Sequence, residues 1–163
     1  ISDQIFYEVY VSSEEKFRDF EFDGYTYHCI VSKCDKGVQS VEYSGGVRVT
    51  DKERTVVDSI KDMDKIAGLE EVIVNIQNIS RLDEKRLLVY LECYDNQFLY
   101  QKTGFLLKPY RQQLSLSDQF FEICKEKIGL SKRYLTKDCH EGKYDGAWRL
   151  IIPLGINTLK NGV

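Results

Sequence analysis

The sequence contains no run of apolar residues near the roughly 20 that a membrane-spanning helix needs, and no charged-then-apolar leader opens it. A soluble, cytoplasmic protein without membrane partners is therefore expected. No Cys-x-x-Cys pair is present: Cys29, Cys34, Cys93, Cys124 and Cys139 are odd in number and lack zinc-ribbon spacing, which argues for reduced thiols. Also missing are Gly-x-Ser-x-Gly, the P-loop, His-Glu-x-x-His and Gly-x-Gly-x-x-Gly, so the common hydrolase, nucleotide and zinc-protease signatures are excluded. Charge of one sign is lacking as well. With 30% charged residues, a formal net charge of -3 and a pI near 5.5, the bulk electrostatics do not advertise nucleic-acid binding. Any DNA contact must come from a local patch or from a segment outside this sequence. No internal repeat, low-complexity tract or linker appears.

What is there is enough for one core. At 163 residues, 42% hydrophobic and 12% aromatic, the chain is expected to form a single domain over 1–163. It opens on Ile1 rather than Met, directly in strand-like material, so a fragment of a longer polypeptide is expected. Residues 5–11 are β-branched and aromatic, a strand signal. Asp23-Gly24 is a turn that folds residues 16–22 back onto residues 25–32. Further breaks at Asp35-Lys36-Gly37 and Ser44-Gly45-Gly46 bound strands at 38–43 and 47–49. The first third reads as a meander of antiparallel strands.

The period then changes. Thr50 and Glu53 have the spacing of a capping box, which predicts a helix starting just after Thr50, with Val56, Val57 and Ile60 on one face and Arg54 paired to Asp58. After a break at 62–64, Leu69, Val72, Ile73 and Ile76 predict a second helix. Gly68 stands near its start, where a neighbouring segment can come close. Asp83 caps a helix carrying Leu87, Leu88 and Leu91 to Tyr94. After Asp95-Asn96 another runs from 97 to 107, stopping before Pro109, which biases Lys108 away from helical geometry. These two are expected to form a helical hairpin. Ser115 or Ser117 caps a helix with Phe120, Phe121, Cys124 and Ile128 that stops at Gly129. Residues 133–135 and 148–152 read as short strands around a polar loop, 137–146. The expected class is α+β: an N-terminal antiparallel or mixed sheet packed by four to five helices, with short C-terminal strands.

Several clusters have more than one chemical reading. Glu53, Arg54 and Asp58 form either a recognition cluster or a cap with a helix brace. The capping-box spacing accounts for Glu53 and favours the brace. His28-Cys29, Cys34 and Cys139-His140 contain zinc-ligand types, but adjacent residues of a strand point to opposite faces, and small buried thiols are the simpler account. Asp138, Glu141 and Lys143 faintly match the carboxylate-lysine set of metal-dependent nucleases, on a loop where that chemistry usually needs a rigid strand. Lys102, Lys108 and Arg111, with Arg81, Lys85 and Arg86 on the adjoining helix, suggest either a basic face for phosphate contacts or a solvated helix face. Tyr100 and Tyr110 flank these positions. No metal or cofactor is expected.

The order of motifs carries a resemblance that periodicity does not. Val49-Thr50-Asp51-Lys52-Glu53-Arg54-Thr55-Val56-Val57-Asp58, followed by Ala67-Gly68-Leu69-Glu70-Glu71-Val72, resembles the ERT-hydrophobic-Asp and Gly-Gly-Leu-Glu-Glu signature of the AbiEi abortive-infection antitoxins. Lys102-Thr103-Gly104-Phe105-Leu106-Leu107 is similar to that family's Arg/Lys-x-Gly-hydrophobic-Leu-Leu element, and Trp148-Arg149-Leu150 follows near the end. Thr50, Glu53, Arg54, Asp58, Gly68, Glu71, Gly104 and Trp148 are thus family marks with a structural role. The resemblance implies the C-terminal domain of a type IV antitoxin and transcriptional regulator, whose N-terminal winged helix is absent from this chain. It also implies a non-catalytic domain that supports cooperative operator binding by the intact protein. It would oppose a nucleotidyltransferase-like toxin without a stable complex. Ala67 departs from the first of the family's two glycines, a substitution costing about 1 kcal/mol if that position has positive φ. The other classes are a metal-dependent nuclease- or transferase-like enzyme using the loop carboxylates, and a self-associating structural module.

Overall fold

Strand-forming residues come first in the chain, and in the computed structural model they build a sheet of their own. The structure describes residues 7–66 and 68–156. The class is α+β as expected, but the strands belong to three small sheets instead of one. By its internal packing the chain, expected from its length as one domain, divides into two compact units, Ile1–Asp35 and Lys36–Val163.

In the first unit, β1 (Glu8–Ser13), β2 (Phe20–Phe22) and β3 (Tyr25–Val31) lie in the order β1-β3-β2. Asp23 and Gly24 both have positive φ, 50° and 79°, the backbone of a tight hairpin whose twist suits its strands, so β2 and β3 pair antiparallel as the turn predicts. Within this unit the antiparallel meander does not hold beyond that. The chain crosses from β1 to the far edge and returns through the centre, which leaves β1 parallel to β3, Glu8 opposite Thr26 and Ser13 opposite Val31. Ile5 and Phe6 of the expected first strand lie outside the described residues. Asp19 pins the sheet by accepting from His28 Nδ1 at 2.8 Å and Cys29 N at 3.2 Å, and the hydrogen bond from His28 holds its carboxyl below the usual range.

The second unit begins with an antiparallel ribbon of β4 (Val38–Ser40) and β5 (Arg48–Thr50). It leads into α1 (Lys52–Lys61), α2 (Met63–Ile66) and α3 (Gly68–Gln77). Met63 is fully buried, so the expected break at 62–64 shrinks to Asp62, the C-cap of α1. Gly68 has φ of 81° with nothing within 4 Å of a Cβ position. It serves the left-handed backbone at the start of α3, not the close approach of a neighbour. Ala67 lies outside the described residues.

α4 (Glu84–Tyr94) and α5 (Gln97–Leu107) match the sequence limits because their caps are local. Asp83 accepts from Lys85 N and Arg86 N, Asp95 takes the left-handed C-cap conformation, and Asn96 accepts from Phe98 N and Leu99 N. The hairpin does not form, since α4 and α5 each pack on α1 and touch each other little. Nor does Pro109 turn the chain out. Lys108 keeps α-helical angles, and residues 108–110 continue as a 3-10 turn, proline being tolerated in the first turn, where its missing N–H costs no hydrogen bond. Ser117 caps α6 (Asp118–Lys127), which packs on α5 through Phe120, Phe121 and Cys124.

α5 is the axis of this unit. Residues 99–107 are all buried, as on a helix covered on every side, although Gln101, Lys102 and Thr103 are polar. The C-terminal sheet has the order β6-β8-β7, from β6 (Arg133–Tyr134), β7 (Gly142–Asp145) and β8 (Leu150–Pro153). β7 falls inside the loop read at 137–146. Its residues are polar because it is an edge strand, held by antiparallel pairing to β8 alone. Among the described residues no helix is long and apolar enough to cross a membrane.

Candidate functional site

The charges at the start of α1 form a joint between helices. Asp51, one residue beyond the expected cap, is the N-cap: its Oδ1 accepts from Arg54 N at 2.8 Å. Its Oδ2 accepts from Tyr90 Oη at 2.5 Å and lies 3.4 Å from Arg86 Nη1. Burial, then this hydrogen bond, push the Tyr90 phenol up to about 12. The Thr50 hydroxyl instead meets that of Thr55 at 2.7 Å. Glu53 does not reach back within its own helix. It is buried, and its Oε1 accepts from Asp83 N at 2.9 Å, so α1 grips the residue that caps α4. Arg54 and Asp58 pair as expected, with Arg54 Nε 2.9 Å from both carboxylate oxygens. Glu71 lies in the first turn of α3. At Gly104, a Cβ would stand 2.1 Å from the Trp148 ring, so these two residues touch.

The six basic positions do not share one face. Arg81 and Lys85 are exposed around a groove that also contains Glu53, Asp83 and Glu84. Arg86 leans on Asp51, and Lys108 and Arg111 both engage Asp118, whose carboxyl their hydrogen bonds hold low. Lys102 is 4% exposed, not part of a solvated helix face. The physical reason is the all-round burial of α5, whose central side chains are covered by neighbouring elements whichever way they point.

Lys102 instead marks the floor of a cleft of about 780 Å³, within the range of small-molecule sites. Lys61 at the end of α1 and Lys65 on α2 form one wall, and Lys132, Arg133 and Lys137 around β6 the other. These cations face two carboxylates, Asp62 and Asp64. Asp62 is already saturated: Lys65 Nζ donates to Oδ1 at 2.8 Å and Lys61 Nζ to Oδ2. Burial pushes its carboxyl up, but the two hydrogen bonds outweigh this and leave it below the usual range. Lys102 Nζ donates to the Lys61 carbonyl at 2.9 Å and sits 4.9 Å from the Phe98 ring centroid. Burial lowers the Lys102 ammonium to about 8, against the opposing pull of Asp64 and Asp62 and with the help of Lys61 and Lys137. Lys61, Lys65, Lys132, Arg133 and Lys137 were not legible as a group. The only local signs are the Lys61-Asp62-Met63-Asp64-Lys65 run and a polar Gln101-Lys102-Thr103 interruption in an otherwise apolar helix.

That amine gives the protein an unusual pH dependence. Unfolded, Lys102 titrates near 10.5; folded, near 8, so between these values the unfolded state binds more protons and stability rises with pH. Cys124, pushed from 9.0 to about 12 by burial, acts in the opposite sense above pH 9, and Tyr90 and Tyr100 do so above pH 10. The clean window is therefore pH 8 to 9. There, urea unfolding is expected to show a gain of up to about 1 kcal/mol that Lys102→Met abolishes. A wild-type profile that is flat or falling relative to the variant would refute it.

Among the described residues no group of three or more His, Cys, Asp or Glu is placed to hold a metal ion, and the five cysteines are free thiols. Asp138 lines a groove beside Gly68 and Leu69, whereas Lys143 is exposed on β7. No protein-family model, curated protein or solved structure matches the chain.

Proposed function

We propose that the chain is the non-catalytic C-terminal domain of an AbiEi-like type IV antitoxin and transcriptional autorepressor. It acts in the cytoplasm, supports cooperative binding of the intact protein to operator DNA, and neutralises a nucleotidyltransferase-like toxin without a stable complex. The observation that carries this reading is the ordered match from Val49 through Trp148. The packing is in keeping with it: Glu53 holds the cap of α4, Arg54 with Asp58 braces α1, and Gly104 makes room for Trp148. Residues that a family retains for its scaffold are expected to be buried and partnered in this way. Arg81 and Lys85, exposed and close in sequence to the α4 cap, are the positions best placed for operator phosphates.

Co-expression with the cognate toxin tests the proposal. The chain is expected to restore growth, and Lys143→Ala to restore it equally well, because the loop carboxylates and their lysine perform no chemistry. No rescue by the chain, where a longer form of the protein rescues, would overturn the assignment of antitoxicity to this domain. Loss of rescue in the soluble Lys143 variant would instead favour the enzyme class.

A further inference from the structure

We infer that the cleft floored by Lys102 is a binding site for a small phosphorylated polyanion, of the di- or triphosphate class, with the Lys102 amine as its innermost contact. The inference goes beyond the antitoxin reading and does not depend on it. It begins with charge. Asp62 is consumed by Lys61 and Lys65, so Lys102, Lys132, Arg133 and Lys137 have no carboxylate within ion-pair distance among the described residues, although all four line the same cleft. The one carboxylate of the cleft not held by a lysine is Asp64, which leaves positive charge in excess, and the arrangement makes sense when something anionic lies between the cations.

Lys102 carries the argument further. An ammonium has three protons to donate, and this one, 4% exposed, gives a single hydrogen bond to a protein acceptor, the Lys61 carbonyl. A buried cation is stable only when paired or fully hydrogen-bonded. Here two donors remain for a ligand. The chain also spends stability on holding the amine at that depth, since burial alone depresses its protonation and Asp64 only partly offsets this.

The shape and charge select the ligand. A monocarboxylate answers one cation. A di- or triphosphate brings three to four negative charges and enough oxygens to meet Lys102 below and Lys132, Arg133 and Lys137 above, where the planar guanidinium suits two phosphate oxygens at once. A duplex is excluded as the main ligand because its phosphates ride on a wide rigid cylinder and cannot descend to an amine beneath the surface. Inorganic pyrophosphate and the phosphate tail of a nucleotide share this chemistry.

Titration calorimetry with pyrophosphate, and separately with ADP and ATP, decides the matter, with a mixed-sequence DNA duplex as the third arm. One site per chain is expected for pyrophosphate or for the nucleotides, weakening with salt. Equal affinities assign recognition to the phosphates, and a tighter nucleotide assigns part of it to the nucleoside. Lys102→Met, which keeps the stem and removes the buried charge, is expected to weaken binding by about tenfold or more, the worth of one charged hydrogen bond. Because that variant alters the interior, the exposed pair Lys132→Gln with Lys137→Gln is the second probe, and it is expected to weaken binding similarly without change in circular dichroism. No heat from any of the three small anions, binding unchanged in both variants, or binding of the duplex alone would overturn the inference.

Discussion

Asp58→Ala is expected to be among the most damaging single substitutions in the chain, costing about 3–5 kcal/mol in denaturant unfolding of the wild type against the variant. The pair is of the i,i+4 kind that on an exposed helix contributes only about 0.3–0.5 kcal/mol. Burial changes the scale. The Arg54 side chain is 1% exposed and that of Asp58 13%. The guanidinium has its Nη1 on the Lys36 carbonyl at 2.6 Å and its Nη2 on Tyr94 Oη at 2.7 Å, and the tyrosine in turn donates to Asp58 at 2.5 Å. Truncating Asp58 takes from a buried cation the carboxylate that meets its Nε. The diagnostic comparison is the double variant Arg54→Met with Asp58→Leu. It removes both charges and is expected to be more stable than Asp58→Ala alone, because the cost lies in the orphaned charge more than in the lost attraction. A loss of less than about 1 kcal/mol in Asp58→Ala would show that water enters the joint.

Gly104→Ala is expected to cost about 2 kcal/mol or more, although in an exposed helix the same change stabilises by about 1 kcal/mol. The added methyl would meet Trp148 Cη2 and Cζ3 at 2.1 Å. The ring has little room to withdraw: Trp148 is 4% exposed, and its indole stands edge-on to Phe121 at 6.5 Å. Thermal melts of Gly104→Ala and of Gly104→Ala with Trp148→Phe separate the causes. Phenylalanine lacks the two offending atoms, so the second change is expected to recover part of what the first loses. If Gly104→Ala melts at or above the wild type, the close approach is not a constraint on the fold.

The helical boundaries of the second unit were largely legible because caps are local devices. Asp83, Asn96 and Ser117 each sit beside the turn whose N–H groups they accept, and the α4 and α5 limits follow from them. Where two residues competed, local reasoning chose wrongly. Thr50 and Asp51 both stand at cap spacing from a partner three residues on, and the choice is settled by Asp83, 30 residues away, which claims Glu53. The parallel pairing of β1 with β3 and the edge strand β7 were illegible for the same reason, since both depend on partners distant in sequence. The basic cleft is the clearest case. Its cations come from three separate stretches, and nothing near Lys102 in the sequence says that α5 is enclosed on all sides. Motif order, by contrast, could be read directly, and it still supplies the proposed function.

Trp148 has a practical consequence. It is the single tryptophan of the chain, and it belongs to the second compact unit, while the first carries tyrosine and phenylalanine only. Excitation at the red edge of indole absorption therefore reports one unit and is blind to the other. The indole also rests on α5 at Gly104, two positions from Lys102. One native chromophore thus watches, without any label, the helix that carries both the tightest packing and the buried amine.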